Sequence, residues 1–157
     1  MKTSFPVPIG YVHLHEEEGF ISVIHLDDAP LDHNDDSELL HNSRAQLEEY
    51  FAGTRRAFDF PMRQKGTDFQ QRVWEGLLAI PFGKTCSYRD LSKQLGDLKA
   101  IRAVGTANGR NQLAIVVPCH RVIGSDQSLT GYAGGLHRKR WLLAHEARFA
   151  SGVQELF

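Results

Sequence analysis

A β-branched run, Ile115-Val116-Val117, ends at Pro118 and is followed by Cys119-His120-Arg121-Val122-Ile123. So apolar a run reads as a buried segment. Pro118 fixes its own φ and biases Val117 toward an extended conformation, so Cys119 and His120 are held at the end of a rigid element. These two side chains are a thiol and an imidazole. Neighbours on a strand point to opposite faces, so direct contact between Cys119 and His120 requires a turn here, or a bridging water. Taken alone, the pair has two readings. A buried cysteine is usually a small hydrophobe, and a thiol beside a base is also how a nucleophile is activated.

A chain of 157 residues fits one medium domain or two small ones, and 41% hydrophobic residues suffice for an ordinary core. There is no run of about 18 apolar residues, so no transmembrane helix is expected. The N-terminal stretch lacks the continuous apolar core of a signal peptide. Cys86 and Cys119 stand at no zinc-like spacing, which argues against a disulfide scaffold or a cysteine-rich metal site. A free thiol persists in a reducing compartment, so the expected location is cytoplasmic. No metal and no cofactor are expected.

The first part of the chain reads as a small α/β domain. Ile9–Leu26 has the pattern of a hairpin around Glu16-Glu17-Glu18-Gly19. His13 and His15 fall on this pattern without a third ligand, so they read as surface strand residues. Asp27–Asp36 is an acidic loop. Asp36 or Ser37 caps a helix reaching about Ala52, with Leu40, Leu47 and Phe51 on one face and Gly53 as its stop. Phe58–Met62 has the composition of a further strand. No catalytic constellation occurs before Gly66, and this part is expected to support the rest.

The remainder is mostly helical. Thr67 and Gln70 form a capping box for a helix to about Ala79, whose apolar face is Phe69, Val73, Trp74, Leu77 and Leu78. Ser87 with Asp90 caps a short helix lined by Tyr88, Leu91 and Leu95. Gly96-Asp97-Leu98-Lys99 turns the chain into a second helix over 100–108. Two short helices around such a turn read as a helix-turn-helix. Ile101 and Val104 are expected to pack inward, and Arg102, Gly105 and Thr106 to face outward. Glycine inside a helix costs roughly 1 kcal/mol against alanine, and close approach to another backbone would justify it. Charge is split along the chain. Residues 1–50 carry 2 basic and 11 acidic side chains, and residues 51–157 carry 16 basic and 8 acidic. Such a split fits a polyanion met by the second part alone, and equally an acidic solvated surface on one half balancing a basic one on the other.

Pro118-Cys119-His120-Arg121-Val122, with Asn111 before it, Gly131-Tyr132-Ala133-Gly134-Gly135 after it and Trp141-Leu142-Leu143-Ala144-His145-Glu146 later, closely resembles the O6-alkylguanine-DNA alkyltransferases of bacterial Ogt type. The resemblance runs from about Thr67 to Glu146, while residues 1–66 match only in broad layout. It implies an α+β protein. Residues 1–66 would form an α/β supporting domain with a small antiparallel sheet, and residues 67–157 a mostly helical DNA-binding and alkyl-transfer domain.

The resemblance also implies roles. Cys119 would accept the alkyl group from O6-alkylguanine, with O4-alkylthymine as a second substrate, in a single self-inactivating turnover. His120 would act as base through a water, oriented by Glu146, while Asn111 ties the helix-turn-helix to the cysteine segment. Tyr88, Val122, Tyr132 and Ala133 would hold the base. Arg102, Ala103, Gly105 and Thr106 would enter the minor groove of duplex DNA, with Arg102 filling the gap left by the flipped nucleotide. The protein would act as a monomer, without metal or cofactor. His145 is expected to point elsewhere and Cys86 to be incidental.

Three features depart from the family pattern. Gln112 replaces a common proline, which would loosen the loop after Asn111, and Ala133 stands where some members have serine. The cysteines that bind zinc in some relatives are absent. Two other function classes fit parts of the pattern. A cysteine hydrolase built on Cys119, His120 and Glu146 would have no use for the helix-turn-helix. A non-catalytic lesion-binding module would have no use for an intact Cys119.

Overall fold

The computed structural model describes residues 1–151. The chain forms two units. The first comprises Met1–Lys65 and returns for Gln112–Val116, and the second comprises Gly66–Asn111 and the chain from Val117 onward.

The first unit is built on a three-stranded antiparallel meander of β1 (Lys2–Val7), β2 (Gly10–Glu17) and β3 (Phe20–Asp27), in that spatial order. The β2–β3 hairpin matches the sequence pattern. Glu18 and Gly19 take φ of 52° and 82°, the left-handed pair that a tight two-residue hairpin loop demands. β1 was not visible in the sequence, because Pro6 and Pro8 break the pattern of a strand. Pro6 is tolerated because β1 lies at the sheet edge. Helix α1 (Glu38–Phe51) starts at Ser37, whose hydroxyl accepts from the Leu40 amide, and its Leu40, Leu47 and Tyr50 are buried with Phe5, Val12, Leu14, Ile21, Ile24 and Leu26.

Three expectations here are corrected. His13 is buried, its Nε2 2.7 Å from the Ala29 carbonyl, instead of standing at the surface. Phe58–Met62 forms no strand. It meets β3 through a single bridge, Ile21 to Met62, because Pro61 cannot donate to a ladder. Gln112 does not loosen its loop. Its amide donates to Gln64 Oε1 at 2.8 Å, its carbonyl accepts from Ile24, and Leu113 bridges to Ile24. Proline at 112 could not make the first of these bonds.

The second unit holds α2 (Asp68–Leu78), α3 (Tyr88–Gln94), α4 (Ile101–Gly109) and α5 (Leu136–Ser151), with a parallel pair of two-residue strands, β4 (Cys86–Ser87) and β5 (Val122–Ile123). The Thr67–Gln70 capping box is formed in full, and Ser87 caps α3 by accepting from the Asp90 amide. Trp74 Nε1 donates to the Ala107 carbonyl at 2.9 Å, which fixes α4 against α2. A 3-10 turn over Leu98–Ala100 leads straight into α4, completing the helix-turn-helix. The expected helix faces need two corrections. Leu78 is 57% exposed, and Ile101 is 38% exposed instead of packed inward. The buried face of α4 is Val104, Ala107 and Asn108. Cys86 sits on β4, paired with Val122.

Gly83 closes the turn after α2 with φ +83°, and a Cβ there would stand 2.4 Å from Ala150 Cβ. Gly83→Ala combines a left-handed backbone with a steric overlap, so a loss of at least about 2 kcal/mol is expected. Chemical denaturation should show a lower midpoint with an unchanged slope.

Candidate active site

The apolar run before the cysteine is buried as expected, with Ile115 at 1% and Val117 at 4% exposure, but it is not a strand. Ile115 has φ 73° and Val116 donates back to the Ala114 carbonyl at 2.8 Å. A β-branched residue there is strained and must be held by its surroundings. At Pro118 (φ −82°, ψ 65°) the Cys119 amide donates to the Val117 carbonyl at 2.8 Å, an inverse γ-turn. Cys119–Arg121 then forms one turn of 3-10 helix. Of the two routes the sequence left open, a turn or a bridging water, a turn is present at Cys119 and His120.

Glu146 on α5 is the hub of the site, with 1% of its side chain exposed. Its Oε2 lies 2.7 Å from His120 Nε2, and Arg121 donates to it twice, Nε to Oε1 at 2.7 Å and Nη2 to Oε2 at 3.0 Å. A third Arg121 bond, Nη1 to the Ile80 carbonyl at 2.7 Å, and the Phe82 ring 5.7 Å away complete the guanidinium's surroundings. Burial alone would raise the Glu146 pKa. The bonds and charges of His120 and Arg121 override it and hold the carboxyl at about 2. An ionised carboxylate only accepts, so His120 must donate through Nε2. His120 itself is lowered, because full burial outweighs the attraction of Glu146. A neutral imidazole that donates through Nε2 keeps a lone pair on Nδ1. That Nδ1 is buried and has no hydrogen-bond partner.

Burial raises the pKa of Cys119. A hydrogen bond from Asn111 and the positive charge of Lys139 pull the other way. Asn111 also donates from Nδ2 to the Val117 carbonyl at 2.8 Å. Lys139 is fully buried and donates through Nζ to the carbonyls of Val122 and Thr130, both at 2.7 Å. Asn108 Nδ2 reaches the Cys119 carbonyl at 3.4 Å. Arg121, Lys139 and Asn108 were missed by sequence reasoning. The signal for Lys139 was its place on the stripe Arg138, Lys139, Leu142, His145 and Glu146, which is the buried face of α5.

The structure brings Cys119, His120, Glu146, Asn111, Val122 and Tyr132 together. Val122 donates its amide to the Cys119 carbonyl, and its own carbonyl keeps a second lone pair beyond the bond from Lys139. Tyr132 Oη is buried without a partner. Burial above all, then the charges of Cys119 and Glu146, push its pKa well above the ordinary value, so it stays a neutral phenol. Tyr88 reaches the same loop, its Oη donating to the Thr130 carbonyl at 3.4 Å. Ala133 is exposed on that loop. Arg102, Ala103 and Thr106 are exposed on α4, away from its buried face. A Cβ at Gly105 would stand 3.9 Å from the Tyr88 ring, an ordinary contact, so packing within the protein does not require glycine there. His145 stacks on Trp141 with ring centroids 4.8 Å apart, outside the cluster. Among the described residues no group of three His, Cys, Asp or Glu side chains could hold a metal, and no helix is long and apolar enough to cross a membrane.

A helix-turn-helix thus precedes a buried thiol, with an imidazole next in sequence. The family models described as 6-O-methylguanine DNA methyltransferase, ribonuclease-like domain and DNA binding domain match residues 1–64 and 68–148. The chain belongs to this family. A methylated-DNA–protein-cysteine methyltransferase of Mycobacterium tuberculosis (strain ATCC 25618 / H37Rv) is 54% identical over 112 residues, covering 71% of this chain and 68% of that protein. The constitutive enzyme of that name from Bacillus subtilis (strain 168) is 46% identical over 143 residues, covering 84% and 86%. The crystal structure of Mycobacterium tuberculosis OGT in complex with DNA is similar with TM-score 0.85 and 42% identity, over 94% of this chain and 93% of that one.

Glu146→Gln tests the hub. It removes the only carboxylate bonded to Arg121 among the described residues and leaves a buried cation unpaired, so stability at neutral pH should fall by about 3–5 kcal/mol. The Glu146 pKa is depressed, so its contribution is complete above the unfolded value of roughly 4.3 and is lost as pH falls toward about 2. Denaturation midpoints against pH should therefore fall less steeply in the variant between those limits.

Proposed function

We propose that the chain repairs alkylated duplex DNA by moving the alkyl group from O6 of guanine, and from O4 of thymine, to Cys119 Sγ. The observation that carries this reading is the buried His120 Nδ1, without a hydrogen-bond partner, on the residue that follows the buried Cys119. Methyl transfer from DNA to a protein cysteine is the activity that family membership and the names of the relatives support. Residues 67–157 would carry DNA binding and transfer, residues 1–66 would support them, and the protein would act as a monomer; residues 152–157 lie outside the described ones.

The chemistry follows from the charges. A free thiol is mostly protonated at neutral pH, and burial makes Cys119 more so. His120 Nδ1 takes the proton through one water, while Lys139 and Asn111 favour the thiolate. Sulfur attacks the alkyl carbon, the carbon–O6 bond breaks, and guanine leaves with its electron pair. Tyr88 donates a proton to the departing base and is reprotonated from solvent, while His120 gives up its proton to solvent. The proton taken up by guanine balances the one lost by the thiol, so the step needs no redox partner. The resulting thioether has no acidic proton and is a poor leaving group toward water, so each molecule reacts once.

Cys119 is only 7% exposed, so it cannot reach a base inside a stacked duplex and the nucleotide must be flipped out. Arg102 on the exposed face of α4 fills the gap from the minor groove, alongside Ala103, Gly105 and Thr106. Degenerate minor-groove information suits a protein that scans without sequence preference.

Intact mass after incubation with O6-methylguanine DNA is expected to rise by one methyl, mapped to the peptide containing Cys119. Cys119→Ser should take up none while still binding DNA, and Cys86→Ser should react like wild type. Uptake by the serine variant at 119 would overturn the assignment. Arg102→Ala should slow repair of the duplex by at least roughly tenfold, since unstacking costs a few kcal/mol. Its rate with free O6-benzylguanine, which needs no flipping, should change little. Equal losses on both substrates would place Arg102 in the chemistry or in stability.

A further inference from the structure

The exposed Ile101 has a counterpart one turn earlier. Leu98 is 44% exposed and Ile101 is 38% exposed. The 3-10 turn Leu98–Ala100 runs directly into α4, so Leu98, Ile101, Arg102, Gly105 and Thr106 follow the i, i+3, i+4, i+7, i+8 spacing of one helical stripe. Arg102 and Thr106 on that stripe are exposed and Gly105 is half-buried. Single exposed apolar side chains such as Leu78 need no explanation, but two together on one stripe do. They also stand in a basic neighbourhood. Residues 84–110 carry six basic and two acidic side chains, which matches a polyanion better than an apolar protein surface.

We infer that Leu98 and Ile101 form an apolar shoulder that packs on the deoxyribose edge of the minor groove beside the lesion. Sugar edges are the apolar component of a groove whose rims are phosphate, and aliphatic side chains such as Leu and Ile are among the apolar contacts that minor-groove proteins make. The shoulder supplies affinity that releases no counterions, whereas Arg102 and its basic neighbours supply the salt-sensitive part. It also makes Gly105 intelligible. Where the stripe descends from the shoulder past Arg102, a residue without a side chain lets the helix backbone approach the groove floor. This inference rests on the assignment of the α4 face to DNA.

The test compares the wild type, the double variant Leu98→Gln/Ile101→Gln and Arg102→Ala. Duplex affinity is measured across salt concentrations, together with methyl uptake, thermal midpoint and sedimentation of the free protein. The double variant is expected to bind about tenfold more weakly at every salt concentration, as fits partial burial of two aliphatic side chains. Its salt slope should be that of the wild type and its midpoint unshifted, while Arg102→Ala should show a shallower slope. Unchanged affinity in the double variant, with wild-type uptake intact, overturns the shoulder alone. A changed slope, or lost self-association with DNA affinity retained, overturns it too, and the latter makes a second copy of the chain the occupant. A wild type that takes up no methyl overturns the functional reading and the shoulder with it.

Discussion

One buried carboxylate organises the chemistry of the second unit. Glu146 accepts two bonds from Arg121 and one from His120 with almost no exposure to solvent. A buried ion pair of this kind is weak evidence for stability, since a well-packed apolar cluster of the same volume often does as well. What it supplies is protonation states. With Arg121 holding the carboxyl ionised, His120 is confined to one tautomer, and its free nitrogen is available for the base role proposed above.

The same turn links the α4 face proposed to bind DNA to the cysteine proposed to react. Asn111 directly follows the C-cap of α4, and its side chain bonds the Val117 carbonyl and Cys119. Asn108 on the buried face of α4 reaches the Cys119 carbonyl. The helix whose outer stripe carries Leu98, Ile101 and Arg102 is thus tied through its inner face to the backbone of Cys119. A side chain that fixes Cys119 and one proposed to enter DNA lie within two turns of a single helix, so placing the helix places the sulfur.

Much of this was legible in the sequence. The β2–β3 hairpin, the capped starts of α1, α2 and α3 and the helix-turn-helix followed from periodicity and cap residues, because those signals are local. The Cys119–His120–Glu146 grouping came from motif resemblance, and no local rule would have buried Glu146. The buried stripe of α5 explains why. Four of its five residues, Arg138, Lys139, His145 and Glu146, are polar or charged, so hydrophobic periodicity points to the wrong face. Ile101 failed in the opposite direction. An apolar residue at i, i+3 from Val104 reads as core, yet Ala107 and Asn108 fill that face, and Ile101 is left outside. Gln112 was misjudged because the bond to Gln64 spans 48 residues, beyond the reach of any local pattern. The strain at Ile115 was equally invisible, since nothing in a β-branched run announces a positive φ.

The central claim is that burial keeps His120 neutral, while the ionised Glu146, held by Arg121, fixes its proton on Nε2 and leaves a lone pair on Nδ1. Nitrogen-15 NMR of the His120 imidazole in the unreacted protein reads this directly. At neutral pH the account predicts an unprotonated, pyridine-like Nδ1 and a protonated Nε2. A protonated Nδ1, or an imidazolium at neutral pH, would contradict it.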